Sequence, residues 1–245
     1  MTMQLHHTVR TPSAYTAASA AAGYPASNAG NLRVLKPWRS TGLASQWLQV
    51  DLGSSVAVAA IAFSDCNFAT AIIFADNAAT PVTNRGPASI GTDRGNRLKG
   101  SRQFAATVRY LRITISGGTS DGLAYFRCGS VLVFTQSQAL PRDSLYGGTN
   151  VDVVFPQARV DLPNGAMEVN STGPSYCEIG MSFAARASDD VEVLARRARA
   201  DVCWLDLGLT DQGQQWPIRH GDPRISRRLE KFNRETVPML VREIA

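Results

Sequence analysis

The chain has 245 residues, of which 44% are hydrophobic and 18% charged, with a formal net charge of +5. This composition predicts a folded protein with a substantial core, because disordered chains contain fewer apolar residues and more net charge. No apolar run approaches the roughly 20 residues of a membrane span, and the N-terminus lacks the pattern of a signal peptide. We therefore expect a protein made in the cytoplasm, without membrane insertion.

The charge is unevenly distributed along the chain. Residues 1–135 hold 12 Lys and Arg against 5 Asp and Glu, whereas residues 136–245 hold 13 against 15. The arginines of the basic half are scattered and do not alternate with aromatic residues, so we do not expect nucleic-acid binding. The asymmetry favours two domains with different neighbours.

The N-terminal segment begins with a short predicted strand, residues 3–9, which contains His6 and His7. Adjacent residues of a strand point to opposite faces, so these two histidines cannot chelate one ion together. We interpret them as surface polar residues. Residues 11–31 are rich in small and polar residues and predict a loop.

Residues 38–67 carry the clearest strand pattern of the chain. Trp47, Gln49 and Asp51 alternate with Leu48, Val50 and Leu52, which predicts a strand with one aliphatic and one mostly polar face. Residues 53–55 interrupt this strand, and the apolar run 56–63 follows it. The pair predicts the opening of an antiparallel β-sandwich, in which Asp51 is a polar residue at a strand end and not a cation ligand.

Three more strands, at residues 69–75, 110–116 and 131–134, complete the predicted sandwich. Between them, residues 76–103 predict a long loop, because proline and glycine interrupt the pattern. The loop is basic, and we interpret residues 85–102 as charges that face solvent; a surface that faces a partner subunit is the alternative.

The second half begins after a predicted linker at residues 136–148, where proline and glycine interrupt both periodicities. Strands are predicted at residues 149–160, 176–184, 202–207, 215–219 and 227–244. A helix is predicted at residues 190–200, because Asp189 and Asp190 suit its N-terminus and apolar residues recur on one side. Capping explains these two carboxylates better than a catalytic pair.

The sequence contains no pattern typical of catalysis or of a metal site. Only three histidines are present, and no nucleophile, phosphate-binding or zinc motif occurs. The four cysteines show no C-x-x-C spacing, which favours small buried residues over a zinc site or a disulfide framework. We therefore expect no catalytic residue, no metal and no cofactor.

Four tryptophans are the candidates for stacking on a sugar ring. Trp47 and Trp204 lie inside predicted strands, which favours core packing. Trp38 and Trp216 adjoin prolines in predicted loops and are the candidate ligand-binding residues.

Several of these segments resemble the discoidin or coagulation-factor type C domain. The resemblance rests on Trp38-x-Ser40, on the string QWLQVDLG at residues 46–53, and on RYLRI at residues 109–113. It implies a galactose-binding-like jelly roll over residues 20–135. Members of that family commonly carry a disulfide between the two ends of the domain. Cys66 and Cys128 lie inside or beside strands, so we do not expect that bridge here.

The order of elements in residues 149–245, strands then one helix then strands, resembles the tube-forming fold of long-tailed phages. Combined with a discoidin-like domain, it resembles a phage distal tail protein. The resemblance implies a mainly β protein with two β-sandwiches, the second flanked by a helix. Residues 1–19 form an N-terminal strand and loop that belong either to the first sandwich or to the second domain, which would make the first an insertion.

The function implied by this second resemblance is structural and not enzymatic. It predicts a virion protein of the tail tip that forms a homohexameric ring and contacts the tail tube and baseplate hub proteins. A cell-surface glycan is a further expected partner. The alternative is a carbohydrate-binding module or receptor-binding accessory protein, for which a monomer suffices.

Overall fold

The structure is a computed structural model. It describes residues 4–31, 36–92, 98–139, 149–154, 157–161, 167–171, 176–184, 202–206, 215–220, 228–231 and 234–243. Side chains are described for residues 4–31, 36–91, 98–139 and 202–204.

The described residues form 18 strands and one short 3-10 helix at Ala26–Gly30. The strands are β1 (Gln4–Arg10), β2 (Ala14–Ala17), β3 (Trp38–Arg39), β4 (Trp47–Cys66), β5 (Phe68–Asp76), β6 (Asn84–Pro87), β7 (Ser89–Thr92), β8 (Leu98–Thr119), β9 (Arg127–Cys128), β10 (Ser130–Ala139), β11 (Thr149–Val154), β12 (Gln157–Asp161), β13 (Met167–Ser171), β14 (Tyr176–Ala184), β15 (Cys203–Asp206), β16 (Gln215–His220), β17 (Arg228–Lys231) and β18 (Arg234–Glu243). The predicted mainly β fold is confirmed. No helix among the described residues is long and apolar enough to span a membrane.

The chain divides into two compact units. The first contains residues 1–140 and 201–217, and the second contains residues 141–200 and 218–245. The predicted linker at residues 136–148 begins inside β10, which runs to Ala139. Residues 201–217, which the sequence assigns to the second domain, belong to the first unit.

The first unit is built on an antiparallel sheet whose strand order is β15-β1-β10-β4-β8-β5-β6. β2 pairs with β4, β7 pairs with β8, and β3 pairs with β9 in a separate two-stranded ladder. The first strand, whose assignment the sequence left open, therefore lies between β10 and β15.

The core of the sandwich follows the alternation that the sequence predicts. Leu48, Val50 and Leu52 are at most 1% exposed, whereas their neighbours Trp47 and Asp51 are partly exposed on the other face of β4. The paired strand β8 places its own apolar residues in the same core. Removal of this apolar surface from water drives the packing of the sandwich.

The two histidines of β1 are not on the surface. His6 is 1% exposed and His7 is 2% exposed, so their interpretation as surface residues was wrong. β1 has a neighbouring strand on each edge, and the Phe134 ring lies 6.1 Å from the His6 ring. The sequence did not indicate this burial because β15 is far away along the chain.

Residues 76–103 are more regular than predicted. β6 pairs with β5, β7 pairs with β8, and β8 already begins at Leu98. Lys99 is 1% exposed, so the prediction that the charges of this segment all face solvent was wrong for this residue. Backbone pairing explains the difference: β6 pairs with β5, which begins before the segment, and β7 pairs with residues 98–101 of β8 within it. Glycine and proline do not prevent pairing at sheet edges.

The second unit is described by its backbone. β11, β14, β18 and β16 pair in that order, β17 pairs with β18, and β12 pairs with β13. All of these pairs are antiparallel. The predicted helix at residues 190–200 lies outside the described residues, as do Asp189 and Asp190.

Candidate functional site

Two short strands of the first unit, β3 and β9, bring two arginines together. Trp38 lies opposite Cys128, and Arg39 lies opposite Arg127. Trp38 and Cys128 are fully buried. Because successive residues of a strand alternate between faces, Arg39 and Arg127 share the face away from the core, and both are partly exposed.

Asn67 holds the loop that leads into β9. Its side chain is 0% exposed, and its Nδ2 donates to Asp121 Oδ1 and to the Tyr125 carbonyl, both at 3.0 Å. Its Oδ1 accepts the Arg127 N–H at 2.8 Å. One buried amide therefore fixes three positions of this loop, as expected for a buried polar group whose hydrogen bonds are all made.

Ser40 ties the same loop to the segment after β3. Its backbone N–H donates to the Phe126 carbonyl at 2.9 Å, and its Oγ accepts the Phe126 N–H at 2.8 Å. The Ser40 hydroxyl in turn donates to the Gly42 carbonyl at 2.7 Å. The two motif residues of Trp38-x-Ser40 thus have separate roles, since the indole fills the core while the serine anchors the backbone.

Arg39 lies between two tyrosines. Its guanidinium carbon is 3.8 Å from the Tyr24 ring centroid and 5.3 Å from that of Tyr125, within range of cation–π attraction. The Arg39 N–H donates to the Tyr24 carbonyl, and its own carbonyl accepts the Ala21 N–H. Within the described part of the chain, Arg39 forms no ion pair, and its Nε has no hydrogen-bond partner.

Arg127 is turned toward two carboxylates. Its Nη2 lies 3.7 Å from Asp121 Oδ2 and 4.0 Å from Asp65 Oδ1. These ion pairs are longer than hydrogen bonds. The side chain of Arg127 is 20% exposed, against 12% for Asp121 and 8% for Asp65, so the carboxylates lie deeper than the guanidinium. We call Tyr24, Arg39, Asp121, Tyr125 and Arg127 the loop cluster.

The side chains of the loop cluster are suited to binding a ligand and not to catalysis. Guanidinium groups donate several hydrogen bonds in fixed directions, and tyrosine supplies an aromatic face with a polar hydroxyl. No nucleophile paired with a base is present in it. Among the residues whose side chains are described, no group of three His, Cys, Asp or Glu residues is placed to hold a metal ion.

The candidate residues from the sequence lie elsewhere. Trp38 is in β3 and not in a loop, is 0% exposed and donates its indole N–H to the Ser19 carbonyl. A fully covered indole offers no face to a sugar, so its selection as a ligand residue is corrected to a core role. Trp216 is in β16 and not in a loop; its side chain is outside the described residues, so its selection stays a prediction.

The other two tryptophans differ in their exposure to solvent. Trp204 is fully buried, which confirms core packing. Trp47 is partly exposed on the outer face of β4, with the Arg112 guanidinium 4.5 Å from its ring, so its assignment to the core was wrong. Period-two alternation places Trp47 opposite to Leu48, and the aliphatic face is the one that the core takes.

Asp51 is a structural residue, but it lies inside β4 and not at a strand end. The predicted interruption at residues 53–55 was wrong, because β4 runs from Trp47 to Cys66 with only a register shift against β8 between Asp51 and Val56. Arg109 donates two hydrogen bonds to the Asp51 carboxylate, at 2.8 and 3.0 Å, and the Gly53 N–H donates a third at 2.7 Å. The hydrogen bonds from Arg109 lower the pKa of Asp51. Its oxygens are thus engaged by the protein, which accounts for the carboxylate without a cation.

The described cysteines are free thiols. Cys66, Cys128 and Cys203 are all buried and form no disulfide, which confirms the interpretation as small core residues for these three. Burial raises the pKa of Cys66, and the neighbouring Cys128 raises it further. The side chain of Cys177 is outside the described residues.

The sequence did not single out any member of the loop cluster. Arg39 stands between the two motif residues Trp38 and Ser40, and Tyr125 precedes the fully buried Phe126. For Arg39 the available signal was alternation, since it follows the buried Trp38 in β3 and so faces the other way. Tyr125 lies outside the strands and offers no such signal. Nothing local indicated that these two segments meet.

No protein-family model and no curated protein matches the chain, but solved structures do. A chitosan-binding module from a chitosanase/glucanase of Paenibacillus sp. IK-5 is 26% identical, with a TM-score of 0.42 over 53% of this chain and 98% of that one. A family 32 carbohydrate-binding module from C. perfringens NanJ, in complex with galactose, is 21% identical, with a TM-score of 0.42 over 54% and 99%. A family 32 module of AlyQ, in complex with 4,5-unsaturated mannuronic acid, is 24% identical, with a TM-score of 0.43 over 53% and 100%. These three structures are carbohydrate-binding modules.

Proposed function

We propose that the first unit is a non-catalytic carbohydrate-binding module and that its ligand contacts the loop cluster. The observation that carries this proposal is the Arg39 guanidinium held between the Tyr24 and Tyr125 rings, beside a second arginine. Sugars present hydroxyls that accept hydrogen bonds and C–H faces that pack on aromatic rings. The loop cluster presents donors and rings of this kind on one partly exposed surface.

The site is held in shape before a ligand arrives. Asn67 and Ser40 fix the backbone of the loop through buried hydrogen bonds. A ligand therefore does not have to order the loop on binding, and the free energy of its contacts is retained as affinity. A binding module needs no base, nucleophile or metal, so the composition of the loop cluster suffices for it.

The test is a glycan array with the whole protein, followed by calorimetric titration with the best ligand. We expect Tyr125→Ala and Arg39→Ala to weaken binding by at least about tenfold, or about 1.4 kcal/mol. Matched controls are Tyr110→Ala and Arg112→Ala, which remove the same residue types from the outer face of β4 and β8. Unchanged affinity in the loop-cluster variants, or no glycan bound at all, would refute the proposal.

A ring-forming role at a phage tail tip, in the virion, remains the second proposal. The helix that distinguishes it, residues 190–200, is outside the described residues, and no contact in the described part of the chain favours a ring. Light scattering after gel filtration, over a concentration series, tests it. A hexamer, or a trimer that grows with concentration, would support the ring, whereas a monomer throughout would favour the binding module.

A further inference from the structure

Arg39 is a cation without a counter-ion in the described part of the chain. Its neighbours are two tyrosine rings and backbone groups, and its Nε has no hydrogen-bond partner. Partial burial of a guanidinium costs hydration that the ring faces return only in part. A position of this kind is stabilised when an anion arrives.

A second arginine, Arg127, lies beside Arg39. Arg39 and Arg127 are directly opposite in the β3–β9 ladder, and like charges at such positions repel each other. Asp121 and Asp65 offset Arg127 from below, since they are the less exposed partners of the two ion pairs. Arg127 is therefore paired, whereas Arg39 has no carboxylate partner among the described residues.

The net positive charge of the first unit also favours an anionic ligand. Residues 1–140 and 201–217, which make up the first unit, carry 12 Lys and Arg against 8 Asp and Glu, so an acidic ligand is attracted over longer distances as well. A neutral sugar gains nothing from this field. Arg39 has no carboxylate partner among the described residues, so it is the group in the loop cluster on which this attraction can act.

Resting on the proposed function, we infer that the ligand is an acidic sugar whose carboxylate binds Arg39. A carboxylate is planar and accepts two parallel hydrogen bonds from a guanidinium, which matches the fixed fork of arginine. The two tyrosine rings lie 3.8 and 5.3 Å from the guanidinium carbon and restrict its position. The sugar ring itself then lies against Tyr24 or Tyr125.

The experiment compares ligands that differ only in this charge. Oligogalacturonate and oligomannuronate are titrated into the whole protein beside their fully methyl-esterified forms, at low and at high salt. We expect the acids to bind at least about tenfold more tightly at low salt, with the preference reduced at high salt because the pair is partly exposed. Equal affinity for acid and ester would overturn the inference.

Variants assign the effect to one residue. Arg39→Gln should remove the preference for the acid and keep the weaker binding of the ester, whereas Arg39→Lys should retain part of it, because a lysine has charge but no fork. Arg112→Gln, which removes an equal charge from the outer face, is the control. A preference that persists in Arg39→Gln would overturn the assignment. Binding of neutral glycans without acid preference would contradict only this inference, whereas no binding of any glycan would contradict the proposed function as well.

Discussion

We expect mild acid to destabilise the first unit through His6. The imidazole is 1% exposed, its Nδ1 lies 2.8 Å from Ser137 Oγ, and its ring packs near Phe134. Burial, together with the neighbouring His7, lowers the pKa of His6 from 6.5 to about 4. Below pH 6.5 the unfolded chain therefore binds a proton that the folded protein excludes.

The difference between the pKa values of His6 in the folded and unfolded states sets the sign and the size of the pH effect on stability. A histidine with a lowered pKa contributes stability that is present above pH 6.5 and is lost as the pH falls toward 4. One pKa unit corresponds to about 1.4 kcal/mol, so the free energy of unfolding should drop by about 2–3 kcal/mol between pH 7.5 and 4.5. Asp51 and Asp76 have lowered pKa values, so their contributions are lost only below this window.

The assay is urea unfolding at pH 7.5, 6.5, 5.5 and 4.5 for the wild type and for His6→Asn. The amide retains a hydrogen-bonding group toward Ser137 and does not titrate. The stability of the wild type should fall more steeply with acid than that of the variant, by the amount given above. If the free energy of unfolding fell equally with pH in the wild type and in His6→Asn, the reasoning would be refuted, because groups other than His6 would then cause the loss of stability.

Three further outcomes are expected. Gly100→Ala should lower the free energy of unfolding by about 1–3 kcal/mol, since its Cβ would lie 2.7 Å from a backbone carbonyl oxygen, whereas Gly118→Ala, with open space around it, should not. Asn67→Ala should cost about 2–3 kcal/mol and speed amide exchange at Arg127; unchanged exchange would contradict its role. Cys66 and Cys128 should react with a thiol reagent only on unfolding, because they are buried with raised pKa values; rapid labelling of native protein would contradict this.

The strands of the first unit were predictable where their residues alternate. β4 repeats apolar and polar residues with period two, and burial of Leu48, Val50 and Leu52 follows directly from that pattern. The pattern is local, because the two faces of a strand are fixed by the backbone alone. The predicted end of this strand at residues 53–55 was wrong, because pairing with β8 continues beyond Val56 and keeps β4 extended to Cys66.

The candidate site was not predictable in this way. The motif around Trp38 drew attention to the indole, but pairing with β9 buries the indole and turns Arg39 outward beside Arg127. Which of two neighbouring residues faces solvent depends on the partner strand, and the sequence does not name that partner.

The sequence by itself determined the class of fold, the free cysteines that are described and the polar role of Asp51, because each rests on composition or on spacing within a few residues. Only the tertiary structure decided that residues 201–217 return to the first unit, that His6 is buried beside β15, and that Tyr24, Arg39 and Tyr125 meet. These three results depend on pairs of residues that are distant along the chain. Such pairs are selected by the packing of the whole unit and leave no periodic signal in the sequence.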